Sequence, residues 1–321
     1  MVGTRVSVIV PVYNAEQYIE RCARALMEQT MKDGIEFIFI NDCTPDNSMK
    51  ILGKIVAEYP ERKRQVIIVN NENNLGIFNT RKKGLELAKG EYVGWCDSDD
   101  WCELDMFEKM YSAAIERSLD IVVCNYYLVS GSQISTIRLI PSKTPKEAIL
   151  NRYSYKTFSG HLVIHLVRRR LYLHCQNSIV PTNFGEDVFL LYHVYYDSAS
   201  IGYVDTPFYH YWINNKTSLT HSIDYDNSAW LIQQENLKRI EKLYYQDDGW
   251  EKFHVAINAF IFERKYMYKN SFDSDKEFFK SFKYASRDIL RFYDWRKLSN
   301  WKIFLANNFF FIYRLVNHFK R

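Results

Sequence analysis

Tyr92-Val93-Gly94-Trp95-Cys96-Asp97-Ser98-Asp99-Asp100 is a five-residue apolar run that stops abruptly at three carboxylates. A short apolar run bounded by polar turn residues reads as a buried strand, so the carboxylates fall at its carboxyl end. The same pattern recurs towards the N-terminus. Val6–Val12 is followed by Asn14, Ile35–Ile40 by Asn41 and Asp42, and Val66–Val69 by Asn70 to Asn74, while Ile121–Cys124 forms a fifth run downstream. Segments with helical spacing near 15–29, 46–59, 77–89 and 104–118 lie between them. The alternation predicts an α/β fold, a parallel sheet covered by helices on both faces. Turn chemistry points the same way: Thr44 can cap a helix that begins with Pro45, and Gly90 follows Lys89 as a helix stop.

The chain has 321 residues, enough for two domains at ~150 residues each. Hydrophobic residues make up 47% and charged residues 25%, which excludes a disordered or fibrous chain. Six cysteines are scattered without a CxxC pair, so neither a zinc site nor a dense disulfide framework is expected, and a reducing cytoplasm is the simplest home. There is no apolar run long enough to span a bilayer. The net charge of +4 is unevenly placed. Residues 251–321 hold 15 basic and 7 acidic side chains together with 20 of the 52 aromatic residues. The counts mark a composition boundary near the middle of the two hundreds, and the chain is expected to divide into a domain over 1–222 and a helical, basic and aromatic-rich region over 223–321. Helices are expected at 226–245, 251–295 and 301–319, a further helix around Asp187–Asp197, and a short strand at Ile201–Val204. Trp301, Phe304, Leu305, Phe309, Ile312, Val316 and Phe319 recur at near-helical spacing beside Lys302, Arg314, Lys320 and Arg321. That pattern suits either a peripheral contact with an anionic membrane surface or packing against protein. A homo-oligomer is left open. Nucleic acid is not an expected partner, because no RNA- or DNA-binding signature accompanies the basic tail.

In open α/β sheets, ligands bind at the carboxyl ends of the strands, where helix N-termini and turn amides converge. Crowding Asp97, Asp99 and Asp100 there raises the cost of ionising all three unless a cation is present, and Mg²⁺ or Mn²⁺ suits carboxylate oxygens. An acidic turn capping the helix that starts near Leu104 is the plainer reading of the same residues.

Five segments occur in order: Val8-Ile9-Val10-Pro11-Val12-Tyr13-Asn14, Ile40-Asn41-Asp42-Cys43-Thr44-Pro45-Asp46-Asn47-Ser48, Asn74-Leu75-Gly76 followed by Arg81, Asp97-Ser98-Asp99-Asp100, and Gly185-Glu186-Asp187. Together they resemble the successive motifs of glycosyltransferase family 2, over about the first 220 residues. The resemblance implies a GT-A type, Rossmann-like, mostly parallel sheet with a C-terminal helical extension. It also implies an inverting transfer of a sugar from a nucleotide-diphosphate donor, with a UDP-sugar favoured, to a glycan or lipid-linked acceptor in bacterial surface polysaccharide synthesis.

On that resemblance, Pro11 and Tyr13 line the base and ribose pocket, and Asp42 accepts the uracil N3–H. Asn74 and Arg81 reach the base or diphosphate, Asp97 meets the ribose or the metal shell, and Asp99 binds Mn²⁺ or Mg²⁺. Asp100 and Glu186 support these groups, and Asp187 is the general base. Tyr209-His210-Tyr211-Trp212, with Lys216 beyond it, resembles the family's late segment near the diphosphate. Trp212 stands where an arginine is common, with Lys216 a candidate substitute. His210 is a candidate metal or phosphate contact, or a packed core residue. A non-catalytic nucleotide-sugar-binding partner subunit is the alternative reading. A haloacid-dehalogenase-type phosphatase fits less well, because its DxD follows the first strand rather than the fourth.

Overall fold

A computed structural model describes residues 3–152, 157–215, 227–246, 250–268 and 275–285. The chain divides into two compact units, one of residues 1–148 with 157–223 and the other of residues 149–156 with 224–321.

The first unit is built on a nine-stranded sheet. Its strands are β1 (Val6–Val12), β2 (Ile35–Asn41), β3 (Val66–Asn70), β4 (Tyr92–Trp95), β5 (Trp101–Cys102), β6 (Ile121–Ser130), β7 (Gln133–Ile137), β8 (His165–Arg168) and β9 (Ile201–Trp212). The order is β3-β2-β1-β4-β8-β6-β9-β5, with β7 paired to β6 as a hairpin. Every residue of β1 is buried, as a central strand covered on both faces requires, whereas β3 at the edge keeps Ile68 and Asn70 exposed.

Helices α1 (Ile19–Met27), α2 (Ser48–Glu58), α3 (Gly76–Leu87) and α4 (Met106–Glu116) follow the first four apolar runs. The chain steps from β1 to β2 to β3 in one direction, then α3 carries it back to β4 on the far side of β1. Right-handed crossovers therefore put α3 on the opposite face from α1 and α2. Three shorter or later helices complete the unit: α5 (Pro145–Leu150), which runs into the second unit, α6 (Arg169–Cys175) and α7 (Glu186–Asp197).

The structure differs from the sequence pattern in three places. Strand β8 enters antiparallel between β4 and β6, so the sheet is parallel through β3-β2-β1-β4 and mixed beyond it. The strand at Ile201 runs on to Trp212, lying parallel to β6 with a register shift around Asn125. Helix α2 starts at Ser48 rather than Pro45, because Asp46 Oδ1 accepts the Ser48 N–H at 3.1 Å and the Thr44 hydroxyl at 2.7 Å, turning the chain before the helix begins.

The second unit contains α8 (Asn227–Tyr245), α9 (Trp250–Met267) and α10 (Asp275–Lys280). Trp230, Leu237, Ile240, Tyr244, Phe253, Ile257, Phe260 and Ile261 are buried in it. The helical stretch expected over 251–295 is interrupted: α9 ends at Met267 and α10 begins at Asp275. Residues 286–295 and the expected helix at 301–319 lie outside the described residues. Among the described residues no helix is long and apolar enough to cross a membrane, and all six cysteines are free thiols.

Candidate functional site

The reversal in strand order falls between β1 and β4. Loops leaving adjacent strands in opposite directions open a crevice there, at the carboxyl ends. The residues that leave those ends are Pro11 to Asn14, Asn41 to Thr44, Asn70 to Gly76 and Asp97 to Asp100. Pro11 is buried in β1, and Tyr13, just past it, is 43% exposed.

Asp42 is 4% exposed and fastens the third loop. Its Oδ1 accepts the Leu75 N–H at 2.8 Å and Asn71 Nδ2–H at 2.8 Å, and its Oδ2 accepts the Gly76 N–H at 3.0 Å. These backbone amides open α3, where unpaired N–H groups favour an anion. Asn74 adds to the same turn, its Oδ1 accepting the Gly76 N–H at 3.0 Å.

From the second turn of α3 the buried Arg81 joins two distant segments. Its Nη2 donates to Asp97 Oδ1 at 2.7 Å and its Nη1 to Glu186 Oε1. Burial alone would pull this guanidinium down, but Asp97, Glu186 and Asp187 outweigh it and hold the pKa above the usual value. Glu186 opens α7 directly after Gly185, whose φ of +77° is the left-handed turn that swings the helix inward. Burial pushes the Glu186 carboxyl up to about 7, Arg81 opposing and Asp187 reinforcing the shift. Asp187 is less buried, with Oδ1 accepting the Val188 N–H at 2.7 Å.

The acidic turn after β4 is braced from β9. Tyr209 Oη accepts the Asp97 N–H at 3.0 Å and donates to Asp100 Oδ2 at 2.8 Å, while the Trp212 N–H donates to Asp100 Oδ1 at 2.7 Å. Asp100 is thus 1% exposed and engaged on both oxygens, with burial pushing its pKa well above the usual range. Asp99 is raised to about 6 by burial and by Asp97, and Asn215 Nδ2–H donates to its Oδ2 at 2.7 Å. Among the described residues no three His, Cys, Asp or Glu side chains are grouped so as to hold a metal by themselves. The donors present are carboxylate oxygens in excess of nearby positive charge, which suits a hard divalent ion completed by substrate phosphates and water.

The structure does not bring His210 to these carboxylates. Alternate residues of a strand face opposite ways, and Tyr209 takes the side of Asp97 and Asp100. His210 points the other way, stacked between Trp101 and Tyr127 with ring centroids 4.6 Å from each, and its Nε2 meets Glu103 Oε1 at 2.8 Å. Lys216 lies outside the described residues.

Two participants, Asn215 and Arg21, are not legible as site residues in the sequence, and Tyr209 is legible only as part of its segment, with no role of its own. Tyr209 and Asn215 hold the acidic turn. Arg21 of α1 lies with its Cζ 3.5 Å from the centroid of the Trp101 ring and donates from Nη2 to the Asp99 carbonyl at 3.0 Å, bracing that turn from behind. The tyrosines' alternation with His210 is the one signal that could separate the two faces. Arg21 has none, because its partners are about eighty positions away.

The family model for "Glycosyl transferase family 2" matches residues 7–174, more than half of the chain. The chain belongs to glycosyl transferase family 2. EpsH of Bacillus subtilis is 32% identical over 268 residues, covering 78% of this chain and 75% of that protein. The glycosyltransferase GlyA of Streptococcus pneumoniae is 31% identical over 66% of this chain, which spans only 31% of GlyA's length. Among solved structures, Staphylococcus aureus TarS 1–349 in complex with UDP superposes with a TM-score of 0.61 at 20% identity, covering 94% of this chain and 78% of that one. The mannosyltransferase PcManGT of Pyrobaculum calidifontis, in complex with GDP-Man and Mn²⁺, gives 0.57 at 14% identity, covering 98% and 83%. At such identities the likeness is one of fold, and it is the GT-A type. The family 2 match spans β1 to α6 and includes the strand ends through Asp100; Glu186 and Asp187 follow beyond its last residue.

Proposed function

We propose that this family 2 glycosyltransferase moves a sugar from a UDP-sugar to a hydroxyl of a glycan or lipid-linked acceptor, with inversion, in the assembly of a bacterial surface polysaccharide. The observation that carries the reading is the Arg81 bridge. One buried guanidinium ties Asp97 at the end of β4 to Glu186 at the start of α7, which supports a reading in which the acidic turn and the neighbouring Asp187 serve one site. The UDP bound in the TarS structure and the Mn²⁺ in PcManGT support the donor class and a metal.

Asp99, with Asp97 beside it, would hold Mn²⁺ or Mg²⁺, which supplies charge neutralisation for the departing diphosphate. Pro11, Tyr13 and the loop organised by Asp42 and Asn74 would line the uridine. Arg81 keeps Asp97 oriented and sets a positive charge behind it. Asp187 takes the proton of the acceptor hydroxyl on a carboxylate oxygen as the hydroxyl's own oxygen attacks the anomeric carbon, while the bond from that carbon to the diphosphate oxygen breaks. Asp187 suits this task better than Glu186, whose carboxyl is occupied by Arg81.

A thermal-shift panel of UDP-, GDP- and dTDP-sugars with and without Mn²⁺ tests the proposal. The expected result is a metal-dependent rise in Tm with a UDP-sugar, abolished by Asp99→Ala. A panel in which no nucleotide moves the Tm rejects the donor site.

A further inference from the structure

The face of β9 that carries Tyr209 also carries Tyr211. Opposite them on β6, Tyr126 is in register with Tyr209 and Leu128 with Tyr211. Tyr211, Tyr126 and His161 are all part-buried and make a cluster of their own: His161 lies 5.0 Å from Tyr211 with the rings inclined by 44°, and 5.6 Å from Tyr126 at 66°. The cluster is separate from the Arg21, Trp101, His210 and Tyr127 stack on the other face. None of the donor, metal or base roles falls on it.

Geometry and charge place it next to the acidic turn and near the start of α7: Tyr209, on the same face two residues before Tyr211, accepts the Asp97 N–H at 3.0 Å and donates to Asp100 Oδ2 at 2.8 Å. Burial pushes the Tyr211 phenol above its usual pKa, and Asp100, Asp97, Asp99 and Asp187 all add to the shift, so the hydroxyl lies within electrostatic reach of both the acidic turn and the start of α7. The segment carrying His161 also packs directly on that helix. A Cβ at Gly160 would stand 3.1 Å from Val188 Cγ2, so the backbone runs close against the residue that follows Asp187.

An aromatic ring has an electron-rich face, and a pyranose has faces of C–H bonds whose hydrogens are weakly positive. Rings inclined to one another within electrostatic reach of a proton-accepting carboxylate suit a sugar whose hydroxyl must be presented to that carboxylate. We propose that Tyr211, His161 and Tyr126 form the acceptor subsite, a platform for a pyranose ring whose attacking hydroxyl is directed at Asp187. This rests on the glycosyl-transfer reading and deepens it, because it specifies a cyclic sugar as the acceptor terminus rather than an open-chain polyol.

Saturation-transfer NMR on the full chain, without nucleotide, tests it with methyl β-D-glucopyranoside, methyl β-D-galactopyranoside and ribitol as probes. At least one pyranoside is expected to bind through its ring C–H protons, with ribitol much weaker. Tyr211→Leu and His161→Leu should each weaken it about fivefold, the size of a lost aromatic contact, while Tyr211→Phe stays near wild type. Folding of each variant is checked by its far-ultraviolet spectrum, and the two leucine variants report independently. Pyranoside binding that is absent, equalled by ribitol, or unmoved in a folded leucine variant overturns the subsite. So does displacement of the pyranoside by a UDP-sugar but not by UDP, since that would make these rings part of the donor-sugar pocket. A separate UDP titration judges the donor site. Its failure rejects the glycosyl-transfer reading, whereas the pyranoside result alone decides whether the rings bind a sugar.

Discussion

At the scale of single residues, the site is a set of carboxylates held against their preference for water. Glu186 shows the cost. It is 7% exposed, its carboxyl is raised to about 7 chiefly by burial, and Arg81 only partly offsets this. An acid whose folded pKa lies above its unfolded value of about 4.3 binds its proton more tightly in the native state. Its stabilising contribution is complete below the unfolded pKa and is lost as pH rises through about 7. Glutamine keeps the shape and never ionises, so the Tm of Glu186→Gln relative to wild type should climb between pH 4.5 and 7.5. A difference that stays flat over that range in parallel thermal melts would show that Glu186 ionises normally. Arg81 is expected to be the more sensitive partner. Arg81→Met leaves two carboxylates without their cation and should cost about 3–5 kcal/mol by urea denaturation, whereas a loss below about 1 kcal/mol would mean that the bridge holds little together.

At the scale of elements, the loops are set by a few exacting turns. Gly76 opens α3 with a φ of +79°, and a Cβ there would lie 2.2 Å from Asn183 Oδ1. Asn183 is exposed and can swing away, so the backbone conformation is the larger obstacle. Gly76→Ala should cost about 1–2 kcal/mol, and adding Asn183→Ala should recover only a small part of it in a double-mutant cycle. Full recovery would assign the cost to the side-chain clash instead. How far such elements can be read from sequence depends on where their information lies. Apolar runs closed by polar residues expose β1 to β4 plainly, and the carboxylates after Cys96 and after Gly185 stand at ends that local pattern alone locates. Strand β8 is only four residues long and follows a buried turn over Leu162–Ile164, so nothing local distinguishes its direction or its place between β4 and β6. The extension of β9 to Trp212 is obscured by Pro207 and by two aromatic stripes that belong to different faces. That is why the sequence leaves His210 open between a ligand and a packed residue until the fold stacks it between Trp101 and Tyr127, and why the separate roles of Tyr209 and Arg21 emerge only once the chain is folded.

At the scale of the whole molecule, charge and chemistry are separated along the chain. Every residue assigned to donor, metal or base precedes position 224, and residues 1–250 hold 27 basic against 31 acidic side chains, while residues 251–321 hold 15 against 7. An acidic crevice that gathers a cation and a basic, aromatic C-terminal region would attract different partners. A lipid-linked acceptor would gain from a chain that waits at an anionic surface, where each nearby Lys or Arg contributes about 1 kcal/mol and apolar side chains at near-helical spacing add burial. The full chain should therefore float with phosphatidylglycerol vesicles at low salt, bind neutral phosphatidylcholine vesicles less, and release near 1 M salt, where the Debye length is about 3 Å. Truncation after Asn300 removes Lys302, Arg314, Lys320 and Arg321 with the aromatic stripe, and should abolish flotation while leaving the UDP-sugar thermal shift intact. Loss of both properties would mean that the last 21 residues stabilise the protein rather than anchor it. Flotation that survives truncation would move the membrane contact elsewhere. Binding that resists high salt would make the aromatic side chains, not the charges, the source of affinity.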